Sequence, residues 1–126
     1  MAELLFNKLS KKNSAKSAGI GKNPRSPGAD KGVRGTMKVM GELGIRMKYK
    51  LGRPVTRKDV ERSDKIVVLL DEKQLHILPK YVTNSPKTVY YGITDSDARS
   101  KDFLEQHRRN RDLIKKLVLK LVAELG

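Results

Sequence analysis

Residues Ile66, Val67, Val68, Leu69 and Leu70 form the clearest unbroken apolar run in this chain, and three of the five are β-branched. Polar residues bound the run on both sides: Ser63-Asp64-Lys65 before it and Asp71 after it. Such a segment predicts a strand over 65–70 that is buried on both faces, as in parallel sheets covered by helices. Thr88 to Tyr91 supplies a second strand and residues 15–18 a short one. Helical periodicity fills the intervals. Apolar residues at 1, 4, 5 and 9 share one face and predict a helix over 2–9. Met37, Met40 and Leu43 do the same over 35–43, with Gly44 as the stop. Thr56 and Asp59 make a loose capping box. Asp71 caps a short helix that carries Leu75 and Leu78 and closes at Pro79. Ser100 or Asp102 opens a last helix whose stripe is Phe103, Ile114, Leu117, Leu121 and Leu125. Gly21, Pro24, Pro27 and Gly28 make 20–31 a loop, and 46–54 is a basic connector. Strands alternating with helices predict an α/β fold with a small parallel sheet, in one domain over residues 1–126.

Composition bounds the chemistry. There is no cysteine among the 126 residues, so they contain no disulfide, thiolate metal site or thiol nucleophile. His76 and His107 are the only histidines, which predicts no metal centre. His76 reads as a surface or partly buried residue of a short helix and His107 as a solvated one, and Met37, Met40 and Met47 read as packing. Gly19-Ile20-Gly21 is only a fragment of a dinucleotide fingerprint, and no Gly-x-x-x-x-Gly-Lys-Ser/Thr is present; no cofactor is expected. No run of about 18 apolar residues exists, so no membrane span is expected, and the amino terminus lacks a signal-peptide pattern. The expected location is cytoplasmic.

The net charge is +14, and it is uneven. Residues 1–62 hold 16 basic and 5 acidic side chains, against 12 and 9 in residues 63–126. That imbalance favours a polyanionic partner, nucleic acid or phosphorylated protein. Aromatic content of 5% offers little for base stacking.

Several segments, in order and at consistent spacing, resemble a known family. They are Met1-Ala2-Glu3-(x)2-Phe6 with Ser14-Ala15-Lys16-Ser17-Ala18-Gly19, then Gly41-Glu42-Leu43-Gly44-Ile45, then Val55-Thr56 with the stretch 63–71, and Tyr91-Gly92-Ile93-Thr94-Asp95. Together they cover most of the chain and resemble the low-molecular-weight protein-tyrosine phosphatases and the related arsenate reductases. The resemblance implies a three-layer phosphotyrosine phosphatase I-like sandwich with strand order 2-1-3-4. It also implies that the first, central strand and its Cys-(x)5-Arg phosphate loop belong immediately ahead of Met1. The helix over 2–9 fits that placement, because no capping residue introduces it. A sheet lacking its central strand should be marginal or rearranged. Three routes would rescue it: flanking strands that close ranks, a partner chain that completes the sheet, or a longer protein in which Met1 is internal.

By the same resemblance, Asp95 is the general acid that protonates the leaving oxygen of a phosphate monoester. Ser17 is the serine that supports the phosphate loop, and Tyr90 and Tyr91 are candidates for the aromatic rim. Read without the family, Asp95 is a turn aspartate in Thr-Asp-Ser-Asp, Ser17 a strand-end serine, and the tyrosines ordinary strand residues. The family follows its acid with proline, whereas here Ser96 stands in that place and loop rigidity must come from elsewhere. The expected function is a phosphatase-like protein that is inactive over residues 1–126. The competing expectation is a basic binding or scaffold protein. Arsenate reduction needs several cysteines and is excluded for these residues.

Overall fold

A computed structural model of the protein describes residues 1–19, 29–50 and 52–125. The chain order is α1 (Ala2–Leu9), α2 (Ala29–Gly41), α3 (Arg57–Arg62), β1 (Ile66–Val68), a 3₁₀ turn (Glu72–Ile77), α4 (Lys80–Thr83), β2 (Thr88–Tyr90) and α5 (Phe103–Leu125). These elements group into two compact units, one of residues 1–17, 24–52 and 96–126, the other of residues 18–23 and 53–95. Among the described residues, no helix is long and apolar enough to cross a membrane.

The first unit is helical, and α5 packs against both α1 and α2. Its buried side chains include Leu5 and Phe6 of α1, Val39 and Met40 of α2, Ile45, and Phe103, Ile114, Val118 and Leu121 of α5. The positions 114, 118 and 121 advance by four and three residues, so they stay on one face. The stripe expected for α5 is therefore displaced in part. Leu117 lies to one side and is half-buried, while Leu125 is exposed at the helix end. Gly44 ends α2 as expected. Its φ of +76° is open to glycine at no steric cost, and it lets the Ile45 N–H return to the Met40 carbonyl at 3.0 Å.

Helix α2 begins earlier than its periodicity predicts, so residues 29–31 are helical; the rest of the loop expected over 20–31 lies outside the described residues. Gly32 and Gly35 weaken the helical signal, yet Gly35 is there for packing. A Cβ at Gly35 would come within 2.6 Å of Phe103 Cε2. The short strand expected over 15–18 does not form. The Asn7 side chain takes both backbone groups of Ala15, accepting its N–H at 2.7 Å and donating to its carbonyl at 3.0 Å. An amide side chain thus fills the place of a neighbouring strand.

Helices α2 and α5 are also bound by charge. Glu42 accepts from Arg108 Nε and Nη2 at 3.0 and 2.9 Å and from Arg111 Nη1 at 2.7 Å. Arg111 Nη1 also donates to the Val39 carbonyl at 2.9 Å. The Arg108 bonds, more than those of Arg111, pull the Glu42 carboxyl down to about 2 from its ordinary 4.5. A carboxyl depressed in the fold stabilises it fully above its unfolded value and loses that contribution as pH falls toward the folded one. Glu42→Gln should therefore lower the urea midpoint at pH 7 and flatten its decline between about pH 4.5 and pH 2. A Gln variant whose acid limb follows the parent would contradict this assignment.

In the second unit β1 and β2 pair in parallel, with Ile66, Val67 and Val68 opposite Thr88, Val89 and Tyr90. The parallel sheet is as expected. The strand is shorter than 65–70, and its burial is less complete: Val68 is buried, but Ile66 and Val67 are half-buried. Val60, Val68 and Val82 form the core, flanked by Val55, Ile66, Leu70, Leu75, Leu78 and Tyr81. The capping box at Thr56 is complete, and Arg53 clamps Asp59 through two bonds of 2.8 and 3.1 Å. The Arg53 guanidinium, then the Thr56 N–H, hold the Asp59 carboxyl well below the usual carboxylate range. Lys87 Nζ donates to the carbonyls of Val60 and Ser63 at 2.8 and 2.7 Å, satisfying the carboxyl end of α3. Helix α4, one turn after Pro79, has no apolar periodicity of its own and gives no signal in the sequence. A parallel bridge between Gly19 and Pro54 completes the unit.

Candidate active-site residues

The carboxyl ends of β1 and β2 are tied to each other. The Tyr91 N–H donates to the Val68 carbonyl at 2.8 Å, extending the ladder past Tyr90. Beyond it, Thr94 Oγ1 donates to Asp71 Oδ2 at 3.1 Å. Asp71 also accepts the Lys73 N–H at 3.0 Å, as the cap of the 3₁₀ turn. That backbone bond, then the Thr94 hydroxyl, holds the Asp71 carboxyl below its ordinary value. Asp71 thus joins the end of β1 to the segment that carries Asp95. Its sequence signal is only that of a cap, since the Thr94 contact is long-range. Asp95 follows Thr94 and is exposed. In open α/β sheets this carboxyl edge is the general location of ligand chemistry.

Ser96 opens the last segment of the first unit and is held on two sides. Asn110 Nδ2 donates to Ser96 Oγ at 3.0 Å, and Ser96 Oγ lies 2.9 Å from His107 Nδ1. On the other side of the ring, His107 Nε2 lies 2.8 Å from Thr36 Oγ1, whose hydroxyl donates to the Gly32 carbonyl at 3.0 Å. One assignment satisfies the whole chain. Thr36 spends its proton on Gly32 and accepts from Nε2–H, leaving Nδ1 to accept the Ser96 hydroxyl. The His107 ring stacks on Phe103, with centroids 5.0 Å apart. His107 is therefore a half-buried structural member rather than the solvated residue expected. The Asp97 N–H adds a third tether, donating to Gln106 Oε1 at 2.8 Å. Ser96 is thus held by side-chain hydrogen bonds to α5.

Ser17 belongs to the first unit and Asp95 to the second. The Ser17 hydroxyl donates to Glu3 Oε2 at 2.5 Å. Tyr90 is 44% exposed and Tyr91 half-buried; His76 is exposed. Among the described residues, no group of three His, Asp or Glu side chains could hold a metal ion.

The family profile described as low molecular weight phosphotyrosine protein phosphatase matches residues 1–126. An arsenate reductase from Archaeoglobus fulgidus DSM 4304 is 27% identical, with a TM-score of 0.65 over 97% of this chain and 87% of that one. A YwlE mutant from Bacillus subtilis is 18% identical, with a TM-score of 0.71 over 98% and 87%. The YwlE arginine phosphatase from Geobacillus stearothermophilus is 19% identical, with a TM-score of 0.63 over 98% and 82%. The two YwlE structures are evidence of fold alone. No curated protein matches. The profile spans the whole sequence, the fold is shared, and the parallel strands carry the expected segments: the chain belongs to the low molecular weight phosphotyrosine protein phosphatase family.

Proposed function

We propose that residues 1–126 act as one phosphatase-like domain supplying the general acid and the supporting scaffold for hydrolysis of a phosphate monoester, with the nucleophile lying outside them. The match of the family profile across residues 1–126 carries this reading. Asp95 protonates the leaving oxygen, and Ser17 supports a phosphate loop of the form Cys-(x)5-Arg. That loop's thiolate would attack phosphorus, and its guanidinium would bind the equatorial oxygens. Phosphorylated protein is the partner this reading implies, in the cytoplasm. Nucleic acid is the competing partner favoured by the net charge of +14, and a second copy of the chain is a further one. Steep loss of oligonucleotide binding with salt would favour nucleic acid.

The coding sequence just upstream of Met1 tests the proposal. An in-frame Cys-(x)5-Arg ending beside Met1 is expected. In that longer protein Asp95→Asn should lower kcat for phenyl phosphate, whose leaving phenolate is strongly basic, by about 10²–10⁴-fold. A stop codon immediately upstream, or an Asn variant as active as the parent, would overturn it.

A further inference from the structure

Between Glu42 and Asp59 the chain carries six basic residues and no acidic one. Two of the six are committed inside the second unit: Arg53 clamps Asp59, and Arg57 lies over the Tyr81 ring. Arg46, Lys48 and Lys50 belong to the first unit. All three are exposed, and among the described residues none of them holds an ion pair. The carboxylates of α2 and its end are already taken. Glu42 is bound by Arg108 and Arg111, and Asp30 is paired with Arg34 at 3.0 Å.

One aromatic ring stands among these cations. Burial along 45–50 alternates as it does in extended chain: Ile45 is buried and Met47 half-buried, while Arg46, Lys48 and Lys50 are exposed. Ile45 is anchored by its N–H to the Met40 carbonyl at 3.0 Å. Tyr49 is fixed at the other end, its hydroxyl donating to Asp30 Oδ1 at 2.6 Å with the Arg34 guanidinium 5.3 Å from the ring centroid. The ring is thus immobilised from one side, yet the residue remains 43% exposed. At 3.2–3.4 Å per residue, alternate positions lie about 6.5–7 Å apart. That is close to the interval between successive phosphates of an extended single strand.

We propose that Arg46, Lys48, Tyr49 and Lys50 form a contact surface for single-stranded nucleic acid, with phosphates on the three cations and a base stacked on the Tyr49 ring. The ring is what selects this partner among polyanions. A duplex keeps its bases stacked on one another, and a phosphorylated peptide or an anionic lipid surface has no base to offer. A ring held in place beforehand gives up little freedom when a base lands on it. The surface does not depend on the assignment of Asp95 or Ser17.

Fluorescence anisotropy of a labelled oligothymidylate with residues 1–126 tests the proposal. Binding is expected at about 50 mM salt, with log K falling against log salt at a slope of about −2, since each neutralised phosphate of a single strand contributes about −0.7. Tyr49→Ala should weaken binding about tenfold with the slope unchanged, and Tyr49→Phe, which keeps the ring, should bind like the parent. Lys48→Gln combined with Lys50→Gln should weaken binding about tenfold at the same salt and bring the slope close to −0.7. Lys116→Gln combined with Lys120→Gln removes equal charge from exposed positions of α5 and should leave both affinity and slope near those of the parent. Circular dichroism verifies that each variant is folded; should Tyr49→Ala fail to fold, the paired lysine variants still decide. No binding at low salt would overturn the proposal. So would equal weakening by the α5 pair, a folded Tyr49→Ala that binds as tightly as the parent, or a duplex, a phosphopeptide of equal charge or an anionic vesicle that binds better than the oligothymidylate.

Discussion

Residues 1–126 should leave p-nitrophenyl phosphate unhydrolysed. The family chemistry runs through a cysteinyl thiolate that attacks phosphorus and an arginine that binds the phosphoryl oxygens as charge develops. No cysteine occurs in these residues. Removing a covalent nucleophile costs on the order of a million-fold in turnover in the serine hydrolase subtilisin. On the proposed assignment of Asp95, what would remain is a general acid, and a positioned acid is worth about 10²–10⁴-fold by itself. Asp95 would contribute little even of that, because p-nitrophenolate is a weakly basic leaving group that needs little protonation. The measurement is release of the nitrophenolate chromophore, with Asp95→Asn assayed in parallel. Both proteins should match the buffer blank. Clear turnover that disappears in Asp95→Asn would mean that a nucleophile other than cysteine operates here, and the proposed division of labour would fall.

Local chemistry is legible wherever the partners lie close in sequence. Thr56 and Asp59 are three residues apart, and their capping box forms in full. Asp71 caps the 3₁₀ turn through the Lys73 N–H, and Gly44 stops α2 through its positive φ. Side chains whose partner is distant cannot be read this way. Gly35 reads as the start of a helix, and nothing near it in the sequence announces that Phe103 is laid against it. Residues 15–18 have strand character, but the Asn7 side chain claims the Ala15 backbone first. Apolar periodicity locates α5, yet a stripe wide enough to include Leu117 cannot say which of its neighbours turns inward. Val118 does, at 1% exposure.

The candidate site divides along the same line. Asp95 and Ser17 are visible through family resemblance, which compares whole segments. The residues that hold Ser96 are not. His107 sits in a charged and polar stretch, and nothing in Glu105-Gln106-His107-Arg108 announces that its ring bridges Thr36 and Ser96. Read as sequence, Ser96 is a loss of proline's constraint. In the fold, the Ser96 side chain is hydrogen-bonded to His107 and Asn110.

Met40→Ala should destabilise the protein by about 2–5 kcal/mol, the range for truncating a fully buried Met, Leu or Ile. Met40 is completely buried. Its carbonyl also receives the N–H groups of Leu43 and Ile45 at the α2 terminus, so the surrounding turn has little freedom to collapse into the space left behind. Met37→Ala is the matched comparison. It removes the same atoms from the same helix, but Met37 is only half-buried, and the loss should be about 1 kcal/mol. The small gain in helix propensity on going from Met to Ala is common to both and cancels. For a chain of this size the Met40 variant should melt on the order of 10 °C lower. Its urea midpoint should fall with an unchanged slope, the mark of a change in stability rather than in exposed surface. Equal losses at the two positions would mean that α2 does not press Met40 into a close-packed interior. The helical arrangement around α5 would then need revision.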